Sequence, residues 1–276
     1  MSSRSPAQAA PAATPSFVVL IPARLASTRL PDKPLAEIAG IPMVVRVANQ
    51  ARQSQAVRVA IATDSPRIAD VARAHGHEAI MTRADHASGT ERLAEAITLM
   101  ELAEDTIVVN VQGDEPEIPP ALIDALASCL ASDPECPMAT AVHPVQSVAD
   151  WLNPNVVKVV ADAEDRALLF SRAPLPWSRS HLAWGLDAGT PQARQAFEAA
   201  QPLRHIGMYA YRSRFLTRYA QLAPCALEDI EALEQLRVLH HGYRIKLLHT
   251  EDAPPAGVDT PADLERVRAR LGQGAH

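Results

Sequence analysis

The 276-residue sequence has only three cysteines, no long apolar run and fewer basic than acidic residues. Cys129, Cys136 and Cys225 have neither the spacing of metal ligands nor the density of a disulfide-stabilised secreted domain. No apolar run reaches the roughly 20 residues of a transmembrane helix. The 26 basic residues against 32 acidic ones give a net charge of -6, which argues against nonspecific nucleic-acid binding. These absences predict a cytoplasmic protein without a nucleic-acid or membrane partner.

Four motifs of common enzyme sites are also missing from the sequence. There is no GxxxxGK[ST] phosphate loop and no GxGxxG turn after the first predicted strand, so P-loop and dinucleotide-binding sites lack their structural basis. There is no GxSxG nucleophile elbow of an acyl hydrolase and no HExxH metal helix. His75 and His77 flank Gly76 in a predicted turn, and we interpret both as exposed turn residues rather than metal ligands.

Residues 1–16 are rich in Ala, Pro and Ser, and we expect them to form a disordered tail. From Phe17 onward, β-branched runs alternate with helical patterns. The predicted strands are FVVLI, VRVAIAT, HEAIMT and TIVVNVQ, and the predicted helices are MVVRVANQARQ, SPRIADVARAHG and GTERLAEAITLMEL. Continuous apolar runs are typical of strands covered on both faces, so we predict an α/β fold with a mainly parallel sheet and helices on both faces. Ligands of such sheets bind beyond the carboxyl ends of the strands.

The loop after the first strand carries unusual positive charge. Arg24, Ser27 and Lys33 lie there, together with three prolines between Pro22 and Pro34. Arginine binds phosphate oxygens through a planar fork and lysine acts as a point charge, so the loop suits a triphosphate. The prolines would reduce the ordering cost of binding. A surface loop with solvated charges is the alternative.

Two aspartates follow predicted strands and are candidate metal ligands. Asp114 lies in GDEP, directly after the predicted strand TIVVNVQ, and Asp259 lies in GVDTP, after the strand-like run RIKLLHT. Mg²⁺ in proteins takes one or two carboxylates and shares the phosphates of the substrate. An Asx turn with Gly113 is the alternative for Asp114. Near Asp259, Thr260 is also a good N-cap for a helix that starts with proline.

Several motifs give the chain from Phe17 to Leu271 a resemblance to the 3-deoxy-D-manno-octulosonate (Kdo) cytidylyltransferases. They are IPARLASTRLPDKPL, MTRADHASGTERLAE, VNVQGDEP, NPNVVKVV, LLFSRAPLPW, RHIGMYAYR, LEQLRVL and GVDTPADLERVR. The first motif alone would indicate only the wider group of sugar nucleotidyltransferases, which includes CMP-sialate synthetases. The TRADHxSGTER and VQGDEP motifs together are much more specific.

The resemblance implies a role for each group of residues. CTP would bind through Arg24, Ser27, Lys33, Thr82, Arg83, Asp85, Ser88, Gly89 and Thr90. Magnesium would be held by Asp114 and Asp259, which with Arg24 and Lys33 form the implied catalytic set. The sugar acid would bind Gln112, Arg172, His205, Tyr209, Glu234 and Gln235, with the arginine on its carboxylate. His205 and Tyr209 share one face of a predicted strand, so a hydrogen-bonded core pair is the alternative for them.

The resemblance also implies the architecture and the partners. We expect a single domain over residues 17–272 with a Rossmann-like nucleotidyltransferase sheet, and a smaller mixed sugar-binding and dimerisation region at roughly 145–225. The protein would be a homodimer that uses CTP and Kdo to make CMP-Kdo and pyrophosphate for lipopolysaccharide biosynthesis. A cytidylyltransferase for sialate or 8-amino-Kdo, or a CTP sensor without turnover, remains open.

Two further expectations concern local structure. The family usually has glycine where this chain has Asp32, and we expect that side chain to point outward, where water and Lys33 screen it. The segment EDIEALEQLRVLHHG is predicted to be one helix. In that helix Ile230, Leu233, Leu236 and Val238 would form the buried face and leave Glu234 and Gln235 free for other contacts.

Overall fold

A computed structural model describes residues 15–26, 30–86, 88–179, 188–251 and 253–272. Its elements, in chain order, are β1 (Phe17–Ala23), a 3-10 turn (Lys33–Leu35), β2 (Glu37–Ile38), β3 (Ile41–Pro42), α1 (Met43–Ala51), β4 (Arg58–Thr63), α2 (Pro66–Ala74), β5 (Glu78–Met81), α3 (Gly89–Leu99), β6 (Ile107–Asn110), α4 (Pro120–Ser132), β7 (Met138–Pro144), α5 (Val148–Leu152), β8 (Lys158–Ala161), β9 (Ala167–Ser171), α6 (Pro191–Ala200), β10 (Leu203–Arg212), α7 (Ser213–Tyr219), α8 (Ala226–Glu231), α9 (Gln235–His240), β11 (Ile245–His249) and α10 (Pro261–Gly272). Most of the predicted tail, residues 1–14, lies outside the described part.

The main sheet has the strand order β11-β7-β10-β6-β1-β4-β5, with β8 and β9 attached beside β10. Strand β1 pairs in parallel with both β4 and β6, and β4 pairs in parallel with β5. The predicted α/β fold with a mainly parallel sheet is therefore confirmed. No helix in the described ranges has both the length and the apolarity to cross a bilayer.

Strand β10 departs from the parallel pattern. It lies antiparallel between β6 and β7, two strands that come much earlier in the chain, and it also pairs with β8. A bulge between Ile206 and Tyr209 interrupts its pairing with β7. Strands β7 and β11 pair in parallel, whereas β8 and β9 form an antiparallel ribbon and β2 and β3 form a separate antiparallel pair.

The hydrophobic core has one cluster on each face of the sheet. In β1, Val19 and Ile21 belong to the cluster under α1, α2 and α4, whereas Val18 and Leu20 belong to the cluster under α3, α7 and α9. Successive side chains of a strand point to opposite faces, so a strand covered on both sides must be apolar throughout. The burial of both faces accounts for the continuous apolar run FVVLI. The carboxyl end of β1 lies at the edge of the sheet where the loops that follow the parallel strands meet.

The predicted single helix EDIEALEQLRVLHHG is wrong. The segment forms α8 and α9, separated at Ala232, which has the left-handed φ of 49°. Ile230 precedes the break and is 81% exposed rather than buried. After the break, Leu236 and Val238 are buried as expected, but so is Gln235. The break places Ile230 near the end of one helix and Gln235 at the start of the next, where the Gln235 side chain faces the interior.

The exposure expected of the two turn histidines is found for only one of them. His75 is exposed beside Gly76, which has a φ of 75°. His77 is buried, and its ring nitrogen lies 3.0 Å from the side-chain oxygen of Asn49. Burial lowers the pKa of His77, which keeps the ring neutral in the folded protein.

Candidate functional site

Two adjoining cavities lie beyond the carboxyl ends of the central strands. The larger has a volume of about 710 Å³ and the smaller about 240 Å³, and Gly89 and Gln112 line both. The predicted residues on the larger cavity are Arg24, Lys33, Ser88, Gly89, Gln112, Asp114 and Asp259. Those on the smaller are Gly89, Thr90, Gln112, His205, Tyr209, Glu234 and Gln235. Thr90 was assigned to the nucleotide, but it lies on the smaller cavity.

Lys33, Asp114 and Asp259 meet in the larger cavity. The Lys33 Nζ lies 2.5 Å from the Asp114 Oδ2 and 3.0 Å from the Asp259 Oδ1. Burial lowers the pKa of Lys33, but the two carboxylates outweigh burial and leave that pKa above its usual value. The ammonium is therefore fully charged at neutral pH. The two predicted carboxylates converge on one cation even though 145 residues separate them in sequence (259 − 114).

Backbone contacts fix the position of both aspartates. The carbonyl of Asp114 accepts a hydrogen bond from the Val258 N–H at 2.8 Å, which ties the two loops together. After Asp259, the hydroxyl of Thr260 accepts from the Asp263 N–H at 3.2 Å, and the Asp263 carboxylate accepts from the Thr260 N–H at 2.8 Å. This capping box starts α10 at a proline, as predicted. The cap of α10 is thus formed by Thr260 and Asp263, while the Asp259 carboxylate contacts Lys33.

Gly113 allows the loop of Asp114 to approach β1. A Cβ atom at Gly113 would lie 2.9 Å from the backbone oxygen of Pro22. We expect Gly113→Ala to destabilise the protein by about 1–3 kcal/mol, because two backbone segments must separate. Thermal unfolding measures this. Gly207→Ala is the matched control, because its Cβ would meet no atom within 4 Å. Equal melting temperatures for the two variants would contradict the prediction.

The donor set of this cavity fits a magnesium ion. Asp114 and Asp259 provide hard carboxylate oxygens, and their side chains keep 31% and 53% exposure, which leaves room for water and phosphate ligands. Clusters of three or more Asp, Glu, His or Cys suited to a metal do not occur in the described residues. Two carboxylates are nevertheless enough for Mg²⁺ when the substrate brings phosphates.

Of the remaining predicted nucleotide residues among those described, Ser88 lines the larger cavity, whereas Thr82, Arg83 and Asp85 do not. The hydroxyl of Ser88 accepts a hydrogen bond from the Glu91 N–H at 3.2 Å and caps α3. Thr82 is buried and does not line the cavity, while Arg83 and Asp85 are exposed and lie 3.4 Å from each other. Ser27 lies outside the described residues. Whether these residues contact a nucleotide stays a prediction.

Sequence reasoning missed two cationic or titratable side chains on the larger cavity. Arg92 is buried in the first turn of α3 and donates to the Thr82 hydroxyl at 2.6 Å. His86 also lines the cavity and contacts the Glu95 carboxylate. Both residues stand inside the quoted TRADHASGTER motif. An arginine beside the apolar positions of a predicted helix was the available signal for Arg92.

The smaller cavity collects the predicted sugar-side residues on β10 and α9. The rings of His205 and Tyr209 are 5.5 Å apart, which confirms that they share a face. The His205 Nε2 lies 2.9 Å from the Thr140 hydroxyl, and Thr90 donates to Glu234 at 3.2 Å. Burial raises the pKa of both Glu234 and Tyr209. The cavity is therefore lined by groups that can bind hydroxyls.

His205 predicts a pH dependence of stability. Burial lowers the pKa of His205 to about 3, whereas an unfolded histidine has a pKa of about 6.5. As the pH falls below the unfolded value, the unfolded chain takes the proton first, so stability is lost toward acid pH. Between pH 7 and pH 5 we expect the wild type to lose up to about 2 kcal/mol more than His205→Gln in denaturant unfolding. The buried His77 and His143 are present in both proteins, so their contributions cancel in the comparison. An equal loss of stability in the two proteins between pH 7 and pH 5 would contradict the prediction.

Arg172 is the one predicted sugar residue that this structure separates from the smaller cavity. Its guanidinium donates to the carbonyls of Glu231, Pro154 and Ala232 at 2.6, 3.0 and 3.4 Å. The side chain thereby holds the break between α8 and α9, where Ala232 lines the cavity. Its assignment to the substrate carboxylate remains a prediction.

Asp32 has a different partner from the one expected. Its φ of 53° is left-handed, a conformation that glycine adopts without strain, which accounts for the glycine of related sequences. The side chain points outward as predicted. It lies 3.1 Å from Arg67 instead of being screened by Lys33, because Lys33 is turned toward Asp114. The carboxylate of Asp32 therefore does not oppose phosphate binding in this conformation.

Comparison with known proteins identifies similar sequences and folds. The sequence model of the family described as cytidylyltransferase matches residues 18–245. A protein of Methylibium petroleiphilum named 3-deoxy-manno-octulosonate cytidylyltransferase is 58% identical over 256 residues, which are 93% of this chain and 95% of that protein. A solved structure of CMP:2-keto-3-deoxy-manno-octonic acid synthetase complexed with CTP is 41% identical. It superposes with a TM-score of 0.83 over 94% of this chain and all of that one.

More distant structures share the fold alone. A 4-diphosphocytidyl-2C-methyl-D-erythritol synthase has a TM-score of 0.58 at 15% identity, over 93% of this chain and 98% of its own. A cytidylyltransferase from Leptospira borgpetersenii has a TM-score of 0.57 at 14% identity, over 94% of this chain and 87% of its own. The sheet is thus retained where most side chains differ.

Proposed function

Because this chain belongs to the cytidylyltransferase family, whose members are nucleotidyltransferases, we propose that it transfers CMP from CTP to the C2 hydroxyl of Kdo and releases pyrophosphate. The product, CMP-Kdo, is the activated sugar that supplies bacterial lipopolysaccharide biosynthesis. The observation that carries the proposal is the junction of two cavities at Gln112, with cations on one side and hydroxyl-binding groups on the other.

The larger cavity is proposed to bind CTP. The CTP complex of the structural relative and the positive side chains Arg24, Lys33 and Arg92 support this assignment. A planar guanidinium and an ammonium stabilise phosphate charge in different ways, so the two types complement each other. Placed here, CTP would lie with its phosphates beside Asp114 and Asp259.

The smaller cavity is proposed to bind the sugar acid. Its lining offers amide, imidazole, phenol and carboxyl groups, which together can donate to and accept from the hydroxyls of Kdo. Its one charged residue among those described is Glu234, so the substrate carboxylate needs a cation from outside. Arg172 is the proposed cation, and it would have to leave the carbonyls of Glu231 and Ala232 to reach that carboxylate.

The reaction is an in-line displacement at phosphorus. The oxygen at C2 forms the new bond to the α-phosphorus of CTP, and the bond from that phosphorus to the oxygen bridging to the β-phosphate breaks. Pyrophosphate leaves with the electron pair, and the proton of the C2 hydroxyl passes to solvent. Gln112 lies at the junction and would orient the attacking oxygen. Lys33 and Arg24 would stabilise the charge that develops on pyrophosphate. Asp114 and Asp259 would hold Mg²⁺, which supplies further neutralisation of the phosphates when bound.

The alternatives have less support. The two relatives with more than 40% identity are both named as Kdo enzymes, so sialate and 8-amino-Kdo are not favoured as substrates. A CTP sensor without turnover would need no pair of carboxylates, and this chain brings Asp114 and Asp259 together.

The test is a pyrophosphate-release assay with Mg²⁺. CTP, ATP, GTP and UTP are offered in turn against Kdo, sialate and 8-amino-Kdo. Release confined to CTP and Kdo is expected. Release with another sugar acid would overturn the sugar assignment, and CTP binding without release for any acid would favour the sensor.

We propose that the protein is cytoplasmic and that it forms a homodimer through the second half of its chain. Four large apolar side chains of that half are exposed: Leu168, Trp177, Leu227 and Ile230. Contact between two copies would cover such side chains. Sedimentation equilibrium measures the assembly directly, and a monomer at micromolar concentration would exclude a stable dimer.

A further inference from the structure

Two buried amide side chains in the smaller cavity leave a polar atom without a partner. Asn110 ends β6 and is 2% exposed, and Gln235 begins α9 and is 4% exposed. The Asn110 Oδ1 and the Gln235 Nε2 have no hydrogen-bond partner among the described residues. Both residues line the smaller cavity. Gln235 was predicted as a sugar residue from the family resemblance, but Asn110 was not.

An unpartnered buried amide destabilises a fold and therefore needs an explanation. Asn110 interrupts an otherwise apolar strand, because Ile107, Val108 and Val109 before it and Val111 after it are all buried. An apolar side chain at position 110 would suit that core better. A ligand in the smaller cavity that hydrogen-bonds to the Asn110 side chain would explain why a polar residue occupies this position.

The two free atoms have complementary roles. An amide oxygen accepts a hydrogen bond and an amide nitrogen donates one, whereas a hydroxyl does both. A polyhydroxylated ligand in the cavity could therefore satisfy the Asn110 Oδ1 and the Gln235 Nε2 without any change in charge. The phosphates of a nucleotide would leave the Asn110 oxygen unsatisfied, because they are mostly deprotonated at neutral pH and then offer only acceptors.

The position of Asn110 along the chain determines which part of the ligand it can meet. Gln112 lies two residues further on and lines both cavities, whereas Asn110 lines the smaller one alone. Two residues of extended chain span about 6.6 Å. Asn110 is thus set back by about that distance from the junction where the new bond forms.

We propose that Asn110 is a specificity-determining residue for the sugar acid. Its Oδ1 accepts a hydrogen bond from one hydroxyl of Kdo that is remote from the reacting C2 oxygen, while the Gln235 Nε2 donates to the same part of the sugar. This inference rests on the proposed function and adds a determinant of substrate choice to it.

The first test compares Asn110→Leu with the wild type. We expect kcat/KM for Kdo to fall about 10- to 100-fold, the range for loss of one buried hydrogen bond. The Kd for CTP should be unchanged, because Asn110 does not line the larger cavity. The melting temperature of the free protein should be unchanged or higher, since leucine removes an unpartnered polar atom.

Kdo analogues that lack one hydroxyl distinguish recognition from a structural role. With 4-, 5-, 7- and 8-deoxy-Kdo, the wild type should lose about 10- to 100-fold in kcat/KM for the analogue that lacks the contacted hydroxyl. Asn110→Leu should lose nothing further with that same analogue, because the bond is already gone. A merely structural residue would give the same additional loss for every analogue in both proteins.

Asn49→Leu is the control variant, because Asn49 has a hydrogen-bond partner, His77, and lies outside both cavities. It should retain kcat/KM. Asn110→Ser provides the same comparison should the leucine variant not fold. The inference is overturned by unchanged kcat/KM in the Asn110 variants, or by losses that add for all analogues, while wild-type turnover of Kdo still supports the proposed function. A wild type inactive with Kdo would instead overturn both.

Discussion

Asp114→Asn is expected to lower kcat with CTP, Kdo and Mg²⁺ by about a thousandfold, the upper range for loss of one charge-stabilising group in an active site. Asparagine keeps the size and one oxygen of the side chain but removes its negative charge. The backbone bond from Val258 to the Asp114 carbonyl does not depend on the side chain, so the loop should stay in place. The steady-state rate of pyrophosphate release measures the effect, and binding of Mn²⁺ followed by electron paramagnetic resonance should weaken in parallel.

Asp105→Asn is the control for this experiment. Asp105 is exposed and lies 2.7 Å from Arg214, away from both cavities. Its replacement should change kcat by less than about twofold, because exposed ion pairs contribute little. A rate for Asp114→Asn within tenfold of the wild type would exclude the proposed metal role of Asp114.

Lys33→Met is expected to lower kcat/KM for CTP by about a hundredfold, because methionine matches the aliphatic stem of lysine and removes the ammonium charge that would face pyrophosphate. In the free protein the variant should bind Mn²⁺ more tightly than the wild type. The reason is that the Lys33 ammonium bridges Asp114 and Asp259 and must be displaced by any metal that uses both carboxylates.

Lys246→Met is the matched control, because Lys246 lies near the surface and donates to the Glu164 carbonyl outside the two cavities. Neither its kcat/KM nor its affinity for Mn²⁺ should change. If Lys33→Met bound Mn²⁺ no more tightly than the wild type, the lysine would not compete for the carboxylates. Unchanged kcat/KM for CTP would remove Lys33 from the catalytic set.

The sequence was sufficient for the parallel half of the sheet and for the edge that carries the site. Apolar runs located β1, β4 and β6 because most of their residues are buried, and the run AIM located β5, which is a half-buried edge strand. The rule that loops meet beyond the carboxyl ends of parallel strands then brought Lys33 and Asp114 together. Both steps depend on local pattern and simple topology.

What the sequence did not predict depends on contacts between distant segments. The break at Ala232 was missed, because a left-handed alanine has no signature in the sequence. The carbonyls that bind Arg172 come from segments about 20 and 60 residues away, and the side-chain charge gives no hint of them. Asn110 did carry a signal, a polar residue within a buried apolar strand, but only the cavity gives that signal a meaning.

The placement of β10 has a consequence for how the chain acquires its fold during synthesis. Strands β6 and β7 are made early, but each faces β10, which the ribosome adds about 60 residues after β7. Until Leu203–Arg212 emerges, both strands expose an unpaired edge, the kind of surface that promotes aggregation of incomplete chains. A nascent chain that stops before Leu203 would therefore lack the centre of its sheet and depend on chaperones for solubility, although it already contains β1, β4, β5 and β6.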